Sequence, residues 1–360
     1  MHSVQMSRRR FTKLSSAAFM GGIVSQTGLA VDQPVQHPPD FSLRHIAPEL
    51  REAAAKLFDP EDASHWTDAT FAKWLATRSP PPVVPRLSDI PVETVRVPVG
   101  PGQPEVTLFV INGRAGTKRP GYLHIHGGGY VLGSANNEVA YEQQIAKDLD
   151  CVVVSVEYRL ALETRYQGMV ADIYAGLGWM HANHARLGLD VERLAVMGES
   201  AGGGLAATLA IMARDRREVS LCAQILIYPM LDDRTGSTVM PPDWIGTVLW
   251  TRAANRFGWR KYLGREPGGD DVPTMAVPAR APDLAGLPPT FIGVGSVDLF
   301  VDEDIAYGRR LIDAGVPTQM DVVPGAFHAF DRIAPECDLS RRFTRTKMNA
   351  LRRAFGQPTV

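Results

Sequence analysis

The eleven residues Leu194 to Gly204, LAVMGESAGGG, decide how the rest of the chain is read. An apolar run, the pattern of a buried strand, stops abruptly at Gly198. Gly198-Glu199-Ser200-Ala201-Gly202 then fits G-x-S-x-G, and the helix-forming LAATLAIMAR follows. A strand that turns sharply into a helix around a serine forces that serine into a strained backbone conformation. Its hydroxyl is then pushed out at the top of a sheet, beside a helix N-terminus that favours negative charge. Without those flanks the pentapeptide would be only a glycine-rich turn.

Working outward, apolar strands alternate with helical segments. VETVRVPV and EVTLFVIN read as an antiparallel pair. GYLHIHGGGY, CVVVSVEYRL, RLAVMG, AQILIYPM, PTFIGVG and TQMDVVPGAFH read as further strands, and MVADIYAGLGWMHAN as a helix. This alternation predicts an α/β protein with a mostly parallel sheet covered on both faces. IAPELREAAAKLF places Ile46, Leu50, Ala53, Ala54, Leu57 and Phe58 on one helical face, and Ala69 to Arg78 read as a second short helix ended by SPPPVVPR. The stretch 231–287 breaks the alternation. It is too long for a simple connection and holds the aromatic WIGTVLWTRAANRFGWRKYL, expected to be helical and to form a cap with the N-terminal helices. The expected organisation is residues 1–30 an export signal, 31–86 linker and N-terminal cap helices, 87–230 the first part of the core, 231–287 the cap insertion, and 288–360 the second part of the core.

A serine hydroxyl needs a base to become a nucleophile. In a strand–serine–helix architecture the acid and then the histidine follow the serine in chain order. The chain has 9 His, and only His328 comes after Ser200, in a loop just past a predicted strand. Asp298 is the first carboxylate after the strand TFIGVG and is assigned as the acid, with Asp302 as the alternative. Glu303 and Asp304, with Asp302, open the next helix, where acids suit the helix dipole. Donors for an oxyanion are expected from the amides of Gly128 and Gly129, in HIHGGGYVLG, and of Ala201. His126 and Gly127 support that loop. His124 and His126 could instead form an H-x-H metal pair, but no third ligand lies nearby in sequence; no metal and no organic cofactor is expected.

Together these pieces resemble the hormone-sensitive-lipase-like family of α/β-hydrolases, bacterial carboxylesterases. The resemblance runs from about Tyr122 to Phe330 through HGGGY, VEYRLALE, GESAGGGLA, GLPPTFIGVG, VDLFVDE, DAGV and GAFHAF. It implies an α/β-hydrolase fold with an eight-stranded sheet and a helical cap. It also implies Ser200 as nucleophile, His328 as general base and acid, Asp298 as its orienter, and an oxyanion hole of Gly128, Gly129 and Ala201. Three positions depart from the family pattern: Leu162 where proline is usual in Y-R-L-A-P-E, Glu199 where aspartate is commoner, and Ala329 where glycine usually follows the histidine.

The function expected is hydrolysis of small carboxylic esters, with short acyl chains. Amide, lactone or carbonate hydrolysis, and non-catalytic ligand binding on the same fold, are the alternatives. Trp244, Trp250, Phe257 and Trp259 could line an apolar pocket or form the cap's own core. The rest of the composition is ordinary. A formal net charge of -1 over 360 residues gives no pull toward nucleic acid or anionic membranes, and no apolar run is long enough to span a bilayer. Of the 3 Cys, Cys151 and Cys222 open strand-like runs and read as core thiols, while Cys337 lies in a late loop. SRRRFTKLSSAAFMGGIVSQTGLA, Ser7 to Ala30, has the basic start, weakly apolar middle and small-x-small end of an export signal, and its first residues resemble the twin-arginine type. The other reading is a basic arm on a cytoplasmic protein.

Overall fold

The computed structural model describes residues 43–58, 66–77 and 84–360. The export-signal stretch, 1–30, and the linker after it lie outside the described residues. A single eight-stranded sheet organises the chain, in the order β1-β2-β4-β3-β5-β6-β7-β8. β1 (Val92–Val97) and β2 (Val106–Ile111) pair antiparallel, and β2 pairs antiparallel with β4 (Val152–Glu157). From β4 onward the strands are parallel: β3 (Arg119–Ile125), β5 (Leu189–Glu199), β6 (Ala223–Ile227), β7 (Thr290–Gly295) and β8 (Thr318–Val323).

Side chains on a strand alternate between faces, so each strand feeds two cores. Leu108, Val110, Leu123, Val154, Val196 and Ile292 join one cluster, with α4 (Tyr166–Ala182), α6 (Ala201–Arg216) and α8 (Val301–Asp313). Phe109, Tyr122, Val153, Met197, Ile225 and Phe291 join the other, with α3 (Ala135–Leu149) and α10 (Asp338–Ala354). Burial on both faces is why these strands read as continuous apolar runs. α5 (His184–Leu187) and α9 (Phe330–Ile333) are single turns.

The cap differs from the sequence expectation. α7 spans only Arg252–Leu263, so the segment from Trp244 to Trp250 is not helical. Gly246 and Leu249 have φ of 68° and 66°, which a helix cannot hold, and the Thr251 hydroxyl accepts the Ala254 N–H to start the helix afresh. At the N-terminus, α1 (Arg51–Leu57) and α2 (Asp68–Thr77) go separate ways. Ile46, Leu50, Ala54 and Leu57 pack into the second core cluster beside Ala326 and Phe327. Phe71 of α2, with Trp66 and Trp74, packs on Phe257 of α7, and Asp68 pairs with Lys261 at 2.8 Å.

Candidate active site

The C-terminal ends of β3, β5, β7 and β8 converge, as expected for a site on a parallel sheet. Ser200 sits between β5 and α6 with φ 55° and ψ −122°, a region that non-glycine residues enter only under constraint. The constraint is visible. Ser200 N–H donates to Ile227 O at 2.9 Å, and Ser200 O accepts from Met230 N at 2.9 Å. The glycines around it are needed for close approach: a Cβ on Gly202 would lie 2.0 Å from Ile125 O, and one on Gly204 would lie 2.1 Å from Met230 O.

The structure brings Ser200, His328 and Asp298 into one chain of contacts. Ser200 Oγ lies 2.9 Å from His328 Nε2, and His328 Nδ1 lies 2.8 Å from Asp298 Oδ2. The Phe300 N–H donates to Asp298 Oδ1 at 3.0 Å and fixes the carboxylate. All three side chains are buried. Phe300 and Tyr228 meet the imidazole edge-on, with centroids 5.1 and 4.9 Å away. Asp302 is exposed on α8 and is not the partner of His328.

The glycine loop lies directly on the serine: a Cβ on Gly127 would be 3.3 Å from Ser200 Cβ and 2.9 Å from Glu199 O. Gly128 and Gly129 have φ of 124° and 58°, and Gly128 O accepts from Val131 and Leu132. Ala201, buried, is the first residue of α6, where amides have no intrahelical acceptor. His126 stacks on Tyr158, with centroids 4.2 Å apart, and its Nδ1 lies 2.8 Å from Gly127 O, while Tyr158 OH donates to His126 O. The Leu162 departure is harmless to this shape. Leu162 points to solvent, the loop is held by Ala161 N–H to Tyr130 O, and Arg159 pairs with Asp172.

Several buried polar contacts have no local signal in the sequence. His124 does have carboxylates beside it, brought in from other elements: its Nε2 lies 3.1 Å from Glu199 Oε2 and 3.4 Å from Glu142 Oε1, and its Nδ1 lies 2.7 Å from Ser155 Oγ. Tyr122 OH donates to Glu142. Burial alone would lower the His124 pKa, but the charges of Glu142 and Glu199 raise it to about 9. Glu142 is pushed up to about 7, chiefly by burial. These three residues are close enough to surround a cation. A protonated His124 would itself balance the charge of these carboxylates.

Of the three acids at the start of α8, only Asp302 faces solvent as a helix-terminal charge. Glu303 turns inward and accepts from the Leu231 and Asp232 amides at 2.6 and 3.1 Å, anchoring the start of the cap insertion. Asp304 is fully buried, and burial, with Glu303 and Asp298 nearby, pushes its pKa well up. Behind His328, Lys347 Nζ donates to Asp331 Oδ2 at 2.7 Å and Tyr228 OH donates to Asp331 Oδ1 at 3.0 Å.

Residues 122–332 match a family described as alpha/beta hydrolase fold. The chain belongs to the hormone-sensitive-lipase-like carboxylesterase family of α/β-hydrolases. The esterase LipI of Mycobacterium tuberculosis is 34% identical over 74% of this chain and 86% of its own length. An arylesterase of Saccharolobus solfataricus is 33% identical over 58% of this chain and 67% of its own. Among solved structures, a bacterial heroin esterase superposes with a TM-score of 0.74 at 34% identity, covering 87% of this chain and 99% of that one. The esterase LipW from Mycobacterium marinum gives 0.72 at 32% identity, covering 90% and 99%. The reaction class of this family member is carboxylic ester hydrolysis.

Proposed function

We propose that this carboxylesterase works through a covalent acyl-serine on Ser200 and prefers short acyl chains. The observation that carries the reading is the 2.9 Å approach of Ser200 Oγ to His328 Nε2, with Asp298 on the other ring nitrogen. His328 takes the hydroxyl proton as Ser200 attacks the ester carbonyl. Asp298 holds the ring in the tautomer that leaves Nε2 free, and stabilises the imidazolium that forms. The carbonyl oxygen, now an anion, is received by the amides of Gly128, Gly129 and Ala201. The alcohol leaves with the proton from His328. Water, deprotonated by the same histidine, then releases the acid and restores the serine.

The short acyl preference rests on how the cap is filled. Trp250, Phe257 and Trp259 are buried, and Trp66, Phe71 and Trp74 complete their cluster; Trp244 is partly exposed and stacks on His45. On this reading the aromatics fill space that a long acyl chain would need. p-Nitrophenyl esters of increasing acyl length, assayed with Ser200→Ala beside the wild type, test both parts. The expected result is turnover highest on the shortest esters and lost in the variant. A preference for long esters would overturn the acyl-length claim, and a fully active Ser200→Ala would overturn the mechanism.

We also propose export by the twin-arginine route, on the Ser7–Ala30 pattern. Replacing Arg8 and Arg9 by lysine should leave the protein in the cytoplasm of an expressing bacterium. Unchanged export would contradict it.

A further inference from the structure

The glycine loop beside Ser200 is gripped by the cap on two sides. On one side is α7. A Cβ on Gly258 would lie 2.5 Å from Gly129 O, so the helix backbone rests almost directly on that carbonyl. One turn further, Tyr262 stacks on Tyr130 with centroids 4.1 Å apart, and Trp259 meets the same ring edge-on at 5.2 Å. On the other side is Trp250. A Cβ on Gly129 would lie 1.9 Å from its Cη2, so the indole covers the glycine's Cα.

Trp250 is itself fixed. Its Nε1–H donates to Asn255 Oδ1 at 3.1 Å, and Asn255 Nδ2 donates to Thr235 O at 2.8 Å. The chain reaches it through Leu249 at φ 66°, followed by a tight turn in which Trp250 N–H donates to Val248 O at 2.8 Å. A left-handed non-glycine residue persists where its surroundings over-determine it. Gly129, at φ 58°, has no side chain of its own to hold its peptide planes. The direction of its amide is set by what presses on it.

We propose that the cap, through Trp250 and Gly258, is a positioning clamp that aims the Gly129 amide at the developing oxyanion. The proposal rests on the oxyanion role given to this loop above. It makes Trp250 and Gly258 positioning residues for the known reaction. The cap is then part of the catalytic geometry as well as a cover. A clamp of this kind acts on the transition state alone, so it changes kcat. A wall that touches substrate would change KM, and a mere core filler would change only stability.

The test is kinetics of Gly258→Ala and Trp250→Phe on p-nitrophenyl acetate. Melting temperature, and inhibition by a short alkylboronic acid that forms a tetrahedral adduct, are measured on the same proteins, with Ser200→Ala as control. Gly258→Ala should lower kcat roughly tenfold to a hundredfold, with KM changed less than about threefold. Boronate affinity should weaken in parallel. Wild-type kcat and boronate affinity in folded Gly258→Ala would overturn the clamp, as would a raised KM at unchanged kcat. If Gly258→Ala does not fold, Trp250→Phe decides by the same criteria, since it keeps an aromatic filler but removes the Cη2 contact. An active Ser200→Ala would instead sink the underlying mechanism, so the two failures are distinguishable.

Discussion

Ser200 stores strain that can be measured apart from catalysis. At φ 55° and ψ −122° any side chain is unfavourable, and only glycine is at ease. Ser200→Ala and Ser200→Gly both delete the hydroxyl, so they differ mainly in this strain. The glycine variant should be more stable by about 1–2 kcal/mol in urea unfolding. Equal stabilities would mean that the elbow is relaxed. Ala329, at φ 56°, is a milder case, and the glycine more usual there would gain up to about 1 kcal/mol. His124 makes the folded state bind a proton more tightly than the unfolded one, because its value rises from 6.5 to about 9. Its stabilisation is therefore complete below about pH 6.5 and lost as the pH rises toward 9. Glu142, raised from 4.5 to about 7, adds a fall of the same sign at lower pH. Urea midpoints measured across this range should decline with pH in the wild type and less steeply in His124→Gln. Ser200, His328 and Asp298 were legible because each is marked by chain order and a local motif. Glu142 and Lys347 were not, and His124 stood out only as half of an H-x-H pair, since nothing local distinguishes a buried charge from a surface one. Their partners come from other strands and helices.

Elements were legible where the hydrophobic pattern was strong and short of ambiguity. The strands from β3 to β7, largely buried on both faces, announced themselves as apolar runs. α10 did not, because Asp338–Ala354 is rich in arginine and buries a narrow stripe including Phe343, Met348 and Leu351, with Lys347 among them. Lys347 and Asp331 form a buried ion pair. Lys347→Met leaves Asp331 uncompensated and should cost about 3–5 kcal/mol in chemical unfolding, far more than an exposed ion pair. Aromatic content in WIGTVLW suggests a start for α7 earlier than the structure has; the capping Thr251 marks the true boundary. Phe257 joins α2 to α7 at 2% exposure and ring distances of 4.9 and 5.8 Å to Phe71 and Trp66. Phe257→Ala should destabilise by about 3–5 kcal/mol. A loss below about 1 kcal/mol would mean that the cap helices do not form one cooperative unit with the core.

Across the whole molecule, sheet topology brings four separate chain segments to one edge. The glycine loop follows β3, the serine follows β5, the acid follows β7 and the histidine follows β8. The order of these motifs along the chain was readable, and so was their common edge. The way the cap closes over them was not, because cap packing depends on aromatic contacts between residues as far apart as Trp66 and Trp250. The N-terminal segment also touches the histidine loop: Ala47 N–H donates to Gly325 O at 2.9 Å, three residues before His328. Ser200, His328, Asp298 and the glycine loop thus meet at one edge of the sheet under an aromatic-filled cap. The proposed mechanism requires that Ser200 become covalently bonded during the reaction. The most direct measurement is mass spectrometry of the protein after treatment with a short alkyl p-nitrophenyl phosphonate, which traps an activated serine. The expected result is a single adduct on the peptide that carries Ser200, full loss of esterase activity as it forms, and no adduct in Ser200→Ala. An adduct on another residue, or inactivation of Ser200→Ala at the wild-type rate, would contradict it.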